Sequence, residues 1–335
     1  DAIVLNCERP QVYRILNNED IFQYKMLFAD KKIVALDEAQ TIENIGSKLK
    51  LIHDEPDFNC KIIATGSSSF ELSNKVTEPL TGRNVKYNIF PLSYSEIIEQ
   101  KTWLWMQEHI SDFLIFGSYP GIIDLSPQEK KLKLSNLAGD YLFKDILMLE
   151  NLRYPGTLKR ILEALAYQIG AQVSYNEIAQ TTGTNVRTVE RYIDLLKKTF
   201  VIFELPSFSK NLRNEIRKSK KFYFFDNGIR NALINNFSPL GIRQDVGALW
   251  ENYCMSERLK HNCYTNPLIN HYFWRTYDGA EIDLIEEADG KINAFEFKLK
   301  PGKKTSLPQS FSNSYSPETF EVITPQNLNG FLTGK

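Results

Sequence analysis

Three short apolar runs separated by helical patterns constrain the fold of the N-terminal part of this chain. The runs AIVLNC (2–7), KIVALD (32–37) and CKIIATG (60–66) are typical of strands that are buried on both faces. Helical patterns at about 10–27 and 41–54 lie between them. This order predicts a parallel sheet covered by helices, in which ligands bind at the carboxyl ends of the strands.

Two carboxylates end the second of these strands. Asp37 and Glu38 follow four consecutive apolar residues, as in the metal-binding strand of a P-loop ATPase. There the aspartate holds the hydration shell of Mg²⁺, and the glutamate polarises the attacking water. The sequence contains no phosphate-binding loop of the form G-x-x-x-x-G-K-[ST], which the same chemistry needs. Taken alone, the pattern is equally compatible with a solvated strand end.

A series of further motifs accompanies the two carboxylates. DEAQ, IIATGSSSFEL, EPLTGR and FPLSYSE follow one another, and FGSYPGI, YLFKDIL, KFYFFDNGIRNAL and GALWENY come later. The series resembles the AAA+-like P-loop ATPases that are widespread in bacteria and archaea and that end in a domain of unknown function. The resemblance runs from residue 1 to about residue 300.

The resemblance implies roles for several N-terminal residues and a cofactor. Asp37 and Glu38 would be the Walker B pair, and Thr65 or Ser67 would supply a sensor group. Arg83 would be a phosphate-sensing or finger arginine, with a surface ion pair as the equal alternative. ATP and Mg²⁺ are the cofactors expected of the full-length protein, with its phosphate loop just before Asp1. The 335-residue chain is then a piece of a longer protein, and we expect it to bind ATP weakly or not at all.

The middle of the chain is mostly helical. Ser174 and Glu177 form a predicted capping box, and the helix NVRTVERYIDLLKKTF carries Val186, Val189 and Ile193 on one stripe. Three helices followed by strand, loop and strand resemble a winged helix-turn-helix.

A DNA-binding surface is the functional interpretation of this middle part. The predicted nucleic-acid contacts lie on the recognition helix and in the basic loop after it: Arg187, Thr188, Arg191, Lys210, Arg213, Arg217 and Lys218. Lys220 and Lys221 belong to the same predicted basic stretch. A lid or packing role for the helices, with solvated charges, is the equal alternative.

The C-terminal segment AEIDLIEEADGKINAFEFK predicts a hairpin with an Asp-Gly turn. The turn brings Asp283 close to Glu296, and two opposed carboxylates favour a cation between them. Lys298 would orient water or a phosphate, and Glu251 on an upstream helix would be a third acid. The spacing D-x₁₂-E-x-K resembles the PD-(D/E)XK nuclease superfamily, with Ile-Asp where Pro-Asp is usual. The alternative is a hairpin with cross-strand ion pairs such as Glu281 with Lys298.

The predicted fold class is therefore a multidomain α/β protein. A truncated P-loop NTPase sheet occupies 1–103, a helical region with a winged helix 104–205, and a restriction-endonuclease-like α/β domain 206–335. The net charge of −1 excludes a global field that would recruit nucleic acid, so DNA would need a local basic patch. Four widely spaced cysteines and the absence of a long apolar run favour a cytoplasmic protein without a membrane partner.

Two interpretations of function follow from these patterns. The first is an ATP-driven enzyme acting on DNA, with ATPase, winged-helix and Mg²⁺-dependent nuclease modules. The second is a regulatory protein in which the ATPase is a switch and a pseudo-nuclease domain binds DNA or protein. A homo-oligomer is a further expectation, because AAA+-like modules often assemble.

Overall fold

A computed structural model describes the chain except residues 19, 29, 57, 67–81, 142–154, 210–219, 277, 301–304 and 335. It divides into two compact units. Unit 1 comprises 1–87 with 198–200, and unit 2 comprises 88–197 with 201–335.

Unit 1 contains a sheet of three strands in the order β1-β2-β3, and all of its strands are parallel. Asn6 pairs with Asp37, and Leu36 pairs with Ala64, so the three carboxyl ends meet at one edge. The predicted parallel sheet is confirmed. Its elements are β1 (Ala2–Asn6), α1 (Pro10–Asn17), α2 (Ile21–Phe28), β2 (Ile33–Asp37), α3 (Ile45–Asp54) and β3 (Lys61–Ala64).

Only one face of this sheet is buried in the described part of unit 1, which corrects the expectation of strands covered on both faces. Val34 and Leu36 are fully buried and pack in a core with residues of all three helices. Val4 and Ile63 are 73% and 51% exposed. Alternate residues of a strand point to opposite faces, so the second face presents apolar side chains to solvent.

Unit 2 begins with helices and a small antiparallel sheet of order β4-β6-β5. Ser174 accepts a hydrogen bond from the N–H of Glu177, whereas the Glu177 carboxylate accepts one from Gln168 (3.5 Å). The hydrogen bond that the Ser174 side chain contributes to the predicted capping box is therefore present. The elements are α4 (Tyr94–Gln100), α5 (Trp103–Phe116), α6 (Pro127–Asn136), a π-helical turn (Leu137–Tyr141), α7 (Pro155–Tyr167), β4 (Gln172–Val173), α8 (Tyr175–Thr182), α9 (Val186–Lys198), β5 (Ile202–Leu205) and β6 (Lys220–Phe224).

The rest of unit 2 is built on a four-stranded sheet of order β10-β9-β8-β7. β7, β8 and β9 are antiparallel, and β10 runs parallel to β9. Phe295 and Phe297 pack with α11 and α13, while Ala294 packs with α12, as the predicted alternation requires. The elements are α10 (Asn227–Leu233), α11 (Val246–Thr265), β7 (Asn270–Arg275), β8 (Glu281–Ala288), β9 (Lys291–Phe297), α12 (Gln309–Tyr315), β10 (Thr319–Ile323) and α13 (Leu328–Thr333).

Backbone pairing joins the two sheets of unit 2. The N–H of Phe208 donates to the carbonyl of Phe273 (2.6 Å), and the N–H of Phe273 donates to the carbonyl of Pro206 (3.0 Å). β5 also pairs with β6 across the predicted domain boundary at residue 205. The residues that follow β5 thus hold the small sheet against the edge strand β7.

The state of the cysteines and the character of the helices were also expectations from the sequence. All four cysteines are free, and Cys7 and Cys254 are buried. Within the described residues, no helix combines the length and apolar character that crossing a bilayer requires.

Candidate functional sites

The carboxyl edge of the unit 1 sheet brings together two predicted site residues. Asp37 ends β2 and Thr65 directly follows β3. The Thr65 hydroxyl donates to Asp37 Oδ1 (2.8 Å), and the Thr65 N–H donates to the carbonyl of Leu36 (2.9 Å). A partly exposed carboxylate is thereby oriented by a hydroxyl on the neighbouring strand.

Glu38 occupies a strained backbone position beside this pair. Its φ of 54° lies in the left-handed region, which non-glycine residues seldom adopt. Its carboxylate accepts a hydrogen bond from Gln40 Nε2 (2.5 Å). Burial, followed by the charges of Asp37 and Glu38, raises the pKa of the Cys7 thiol to about 11. Both carboxylates therefore lie close to the end of β1.

Arg83 and Ser67, the other predicted nucleotide contacts, are not brought to this edge by described contacts. Arg83 Nε lies 3.6 Å from Asp54 Oδ1, and both side chains are about 40% exposed. This is the surface ion pair given as the alternative for Arg83, an interaction contributing about 0–1 kcal/mol. Ser67 lies outside the described residues.

The predicted recognition helix is α9. Val189, Ile193 and Leu196 are fully buried in a core with α7 and α8, as the stripe predicts. Arg187 and Arg191 are exposed on the other side. Thr188 is half-buried, and its N–H and hydroxyl both donate to Asn185 Oδ1 (2.9 and 3.1 Å), so this residue stabilises the start of the helix.

Four predicted phosphate contacts, Lys210, Arg213, Arg217 and Lys218, lie outside the described residues. Lys220 lies 2.8 Å from Glu204 Oε1. Lys221 is only 2% exposed and bonds to Glu251 Oε1 (3.2 Å) and Glu281 Oε1 (2.5 Å). The expectation that Lys221 belongs to a surface basic patch is therefore wrong. Adjacent strand residues point to opposite faces, and the face of Lys221 is buried.

The carboxylates predicted for a nuclease-like site lie near this lysine. The register of β8 against β7 shifts between Tyr272 and Trp274. Phe273 therefore stands opposite two residues, Asp283 and Leu284, which defines a β-bulge. Phe273 and Leu284 pack in the core with α11. The bulge thus directs Asp283 toward the helix that carries Glu251.

Asp283 is a buried carboxyl group, 7% exposed. Its Oδ2 accepts a hydrogen bond from the N–H of Phe297 (2.8 Å). Burial is the main cause that raises its pKa to about 8, and the charges of Glu251 and Glu296 raise it further. Lys221 and the Phe297 N–H act in the opposite direction.

Lysines partner the remaining acids of this acidic cluster, which we define as Glu251, Glu281, Asp283 and Glu296. Lys298 Nζ lies 2.7 Å from Glu296 Oε1. Glu281 bonds to Lys221, with Arg275 at 3.7 Å, rather than forming the alternative pair with Lys298.

Mg²⁺ suits the chemistry of these carboxylate donors but not their described arrangement. Mg²⁺ needs oxygen ligands at about 2.0–2.1 Å in octahedral geometry. Across the described ranges, no group of three or more His, Cys, Asp or Glu side chains is placed to hold a metal ion. The Lys221 ammonium contacts two of the carboxylates instead. The acidic cluster, as it stands, does not fit a resident metal.

A buried polar network was missed by the sequence interpretation, although its residues lie in the quoted motifs. Asp226 accepts hydrogen bonds from the N–H groups of Ser118 (2.7 Å) and Ile229 (3.1 Å). A Cβ on Gly117 would lie 2.0 Å from Asp226 Oδ1, and one on Gly228 would lie 2.1 Å from a backbone oxygen of α5. The glycines of FGSYPGI and FFDNGIRNAL thus permit close approach of the two segments.

The same network continues along α10. Arg230 donates to the carbonyl of Ala166 (2.8 Å) and to Asp245 Oδ2 (2.5 Å). Asn231 is fully buried and donates to two backbone carbonyls at the end of α5. Asn252 bonds to both the N–H and the carbonyl of Phe224. These contacts join α5, α7, β6, α10 and α11.

A second buried set connects FPLSYSE with α11. Glu257 accepts hydrogen bonds from the Tyr94 N–H (2.6 Å) and from Lys260 Nζ (2.7 Å). Lys260 Nζ also lies 3.3 Å from Ser118 Oγ. The sequence offered one signal for these buried sets: polar residues recur among the apolar residues of the helical motifs. Its partners, more than 100 residues away, could not be read from the sequence.

Matches to three protein families cover most of the chain. Residues 1–98 match an AAA domain, residues 107–240 match a domain of unknown function (DUF8612), and residues 246–329 match another (DUF4143). The N-terminal part of the chain is thus similar to an AAA domain, and the rest is similar to two domains of unknown function.

The similar curated proteins are themselves uncharacterised. One from Mycobacterium tuberculosis is 27% identical over 280 residues, which cover 82% of this chain and 59% of that protein. One from Haemophilus influenzae is 26% identical over 287 residues, covering 82% and 68%. One from Methanocaldococcus jannaschii is 23% identical over 357 residues, covering 97% and 78%. The chain thus spans 59% of the length of the mycobacterial relative.

Proposed function

We propose that the full-length protein is an AAA-type ATPase whose second unit binds DNA. The observation that carries the ATPase proposal is the Asp37–Thr65 hydrogen bond at the carboxyl edge of a parallel sheet. This is the edge at which open α/β sheets bind ligands. It lies within the residues that match an AAA domain.

The residues at this edge fit the Mg²⁺ of a bound nucleotide. The Asp37 carboxylate is partly exposed and is the type of oxygen donor that Mg²⁺ binds with few protein ligands. Thr65 orients it, and Glu38 would accept a proton from the attacking water after releasing Gln40. Bound Mg²⁺ would neutralise charge on the phosphates.

Variants of the two carboxylates test the ATPase proposal in the full-length protein. We expect Glu38→Gln to lower the ATP hydrolysis rate by about 100-fold or more while nucleotide binding is kept, because general-base catalysis contributes about 10²–10⁴-fold. We expect Asp37→Asn to remove the Mg²⁺ dependence of nucleotide affinity as well. Steady-state phosphate release and a fluorescent-nucleotide titration measure the two effects. Glu43→Gln, an exposed glutamate six residues after Asp37, is the control and should retain wild-type turnover.

DNA binding is supported by the arrangement of the helices and the small sheet. The order α7, β4, α8, α9, β5, β6 with an antiparallel sheet supports the proposal of a winged helix-turn-helix, and the polar side of α9 carries exposed arginines. In that fold, such a side faces a DNA groove.

Charge removal on α9 tests this interaction. We expect Arg187→Ala with Arg191→Ala to weaken duplex DNA binding and to reduce the slope of log affinity against log salt by about 1 for each phosphate that is no longer neutralised. Fluorescence anisotropy at several salt concentrations measures both. Lys159→Ala removes a charge that is also exposed, but on α7, and should change neither. An unchanged slope in the double variant would contradict the proposed surface.

Metal-dependent DNA cleavage is the second candidate function. The sequence spacing of Asp283, Glu296 and Lys298 suggests it, but the Lys221 ammonium on Glu251 and Glu281 counts against it. This candidate requires Mg²⁺- or Mn²⁺-dependent cleavage that Asp283→Ala abolishes.

A further inference from the structure

The acidic cluster contains a cation supplied by the chain itself. Lys221 reaches it from β6, a strand of the small sheet, whereas the acids come from α11, β8 and β9. Its ammonium lies 3.2 Å from Glu251 Oε1 and 2.5 Å from Glu281 Oε1, and its side chain is 3% exposed. Two carboxylates from different elements are thus bridged by one buried positive charge, as a metal ion would bridge them.

Other residues near Lys221 also contact the Glu251 carboxylate of the acidic cluster. The Tyr223 hydroxyl, two residues along β6, donates to Glu251 Oε1 (2.6 Å). Gly170, in the connection before β4, lies so close that an added Cβ would be 3.3 Å from the Glu251 carboxylate. Glu251 therefore has two donors and a backbone neighbour, all contributed by the block of α7, β4 and β6.

Glu296 and Asp283, the acids of the cluster that Lys221 does not contact, have hydrogen-bond donors of their own. Glu296 is bonded to Lys298, and Asp283 accepts the N–H of Phe297. A divalent ion binding between Glu251 and Asp283 would have to displace the Lys221 ammonium from its carboxylates. Once displaced, the ammonium would stay buried beside the incoming positive charge, which is costly.

We infer that Lys221 is the resident cation of the acidic cluster and takes the place of a divalent metal, so that unit 2 functions without metal at this site. The inference goes beyond the proposed ATPase function and does not depend on nucleotide binding by unit 1. The role it assigns to Lys221 is to hold β6, α11 and β8 together while balancing the negative charge of Glu251 and Glu281. The nuclease-like pattern of Asp283, Glu296 and Lys298 then does not mark a site of metal-dependent cleavage.

Mn²⁺ binding, followed by electron paramagnetic resonance of the free ion, tests the inference on the whole chain without nucleotide or DNA. We expect wild type and Asp283→Asn to bind the same number of Mn²⁺ ions, since Asp283 holds none. We expect Lys221→Met to gain one Mn²⁺ site at least tenfold tighter than any binding of wild type at the cluster, because Glu251 and Glu281 then lose the cation that bridges them beside Asp283. Adding Asp283→Asn to Lys221→Met should remove the gained site. Mn²⁺ bound at Asp37 is common to all variants and cancels in these comparisons.

Lys220→Met is the matched control, because this neighbouring lysine pairs with Glu204 outside the cluster. It should show the Mn²⁺ binding of wild type. A wild-type site that Asp283→Asn abolishes would overturn the inference, as would a folded Lys221→Met variant without a gained site. If Lys221→Met does not fold, the comparison of wild type with Asp283→Asn decides by itself. Failure of the ATPase test with Glu38→Gln would leave these outcomes unchanged.

Discussion

Replacing Asp226 with alanine is expected to lower the free energy of unfolding by about 2–6 kcal/mol, because two buried backbone N–H groups lose their acceptor. Asp226 is 4% exposed and caps α10 through the N–H of Ile229. The variant would leave that N–H and the N–H of Ser118 buried without their acceptor. Such unsatisfied groups each cost about 1–3 kcal/mol.

Urea denaturation monitored by tryptophan fluorescence measures this loss. Asp124→Ala is the matched control, because Asp124 is 76% exposed and forms a surface ion pair with Lys101. We expect the control to stay within about 0.5 kcal/mol of wild type. A loss no larger than that for Asp226→Ala would show that the segments FGSYPGI and FFDNGIRNAL are not held together by this carboxylate.

Replacing Asp283 with asparagine is expected to change how stability depends on pH. The pKa of Asp283 is raised from 3.8 to about 8 in the folded protein, chiefly by burial. The folded state therefore keeps a proton that the unfolded state releases above pH 3.8. Stability from this group is fully present below pH 3.8 and is lost as the pH rises toward 8. The full loss is several kcal/mol, at about 1.4 kcal/mol for each pKa unit.

Thermal unfolding between pH 5 and pH 9 measures this effect. The melting temperature of wild type should fall across this range relative to that of Asp283→Asn, whose amide has no proton to release. Asp289→Asn is the control, because Asp289 lies in the exposed turn of the same hairpin. It should follow the pH profile of wild type. Parallel profiles for Asp283→Asn and wild type would contradict a protonated buried carboxyl group.

Local patterns in the sequence predicted several elements because short-range physics dominates there. The Asp289-Gly290 turn has φ values of 52° and 77°, the left-handed pair that an Asp-Gly hairpin turn adopts. The apolar stripe of α9 is buried as its period requires. The parallel register places Asp37 at the carboxyl edge that the run KIVALD indicated. These features depend on alternation and turn chemistry within a few residues.

Local patterns did not predict the partners of the charged residues, because those partners lie far away in the sequence. Lys221 looked like part of a basic run, yet its partners lie 30 and 60 residues further along the chain. The expectation of a sheet covered on both faces was wrong for the described part of unit 1, since apolar strands do not reveal how many helices pack on each side. The motif around Arg83 was equally compatible with a phosphate-sensing arginine and with a surface ion pair. The structure places Arg83 in a surface ion pair with Asp54.

The sequence by itself determined the parallel strands, the hairpin, the helices with their buried faces and the spacing of the acids, because periodicity and turn residues act locally. Only the tertiary structure decided what those acids meet. A carboxylate binds a metal, a lysine or a backbone N–H according to which of them the fold brings within about 3 Å. Here β6 brings Lys221 to Glu251 and Glu281, and the β-bulge directs Asp283 toward α11. The type of each charge follows from the sequence, but charge partners are set by packing between distant segments.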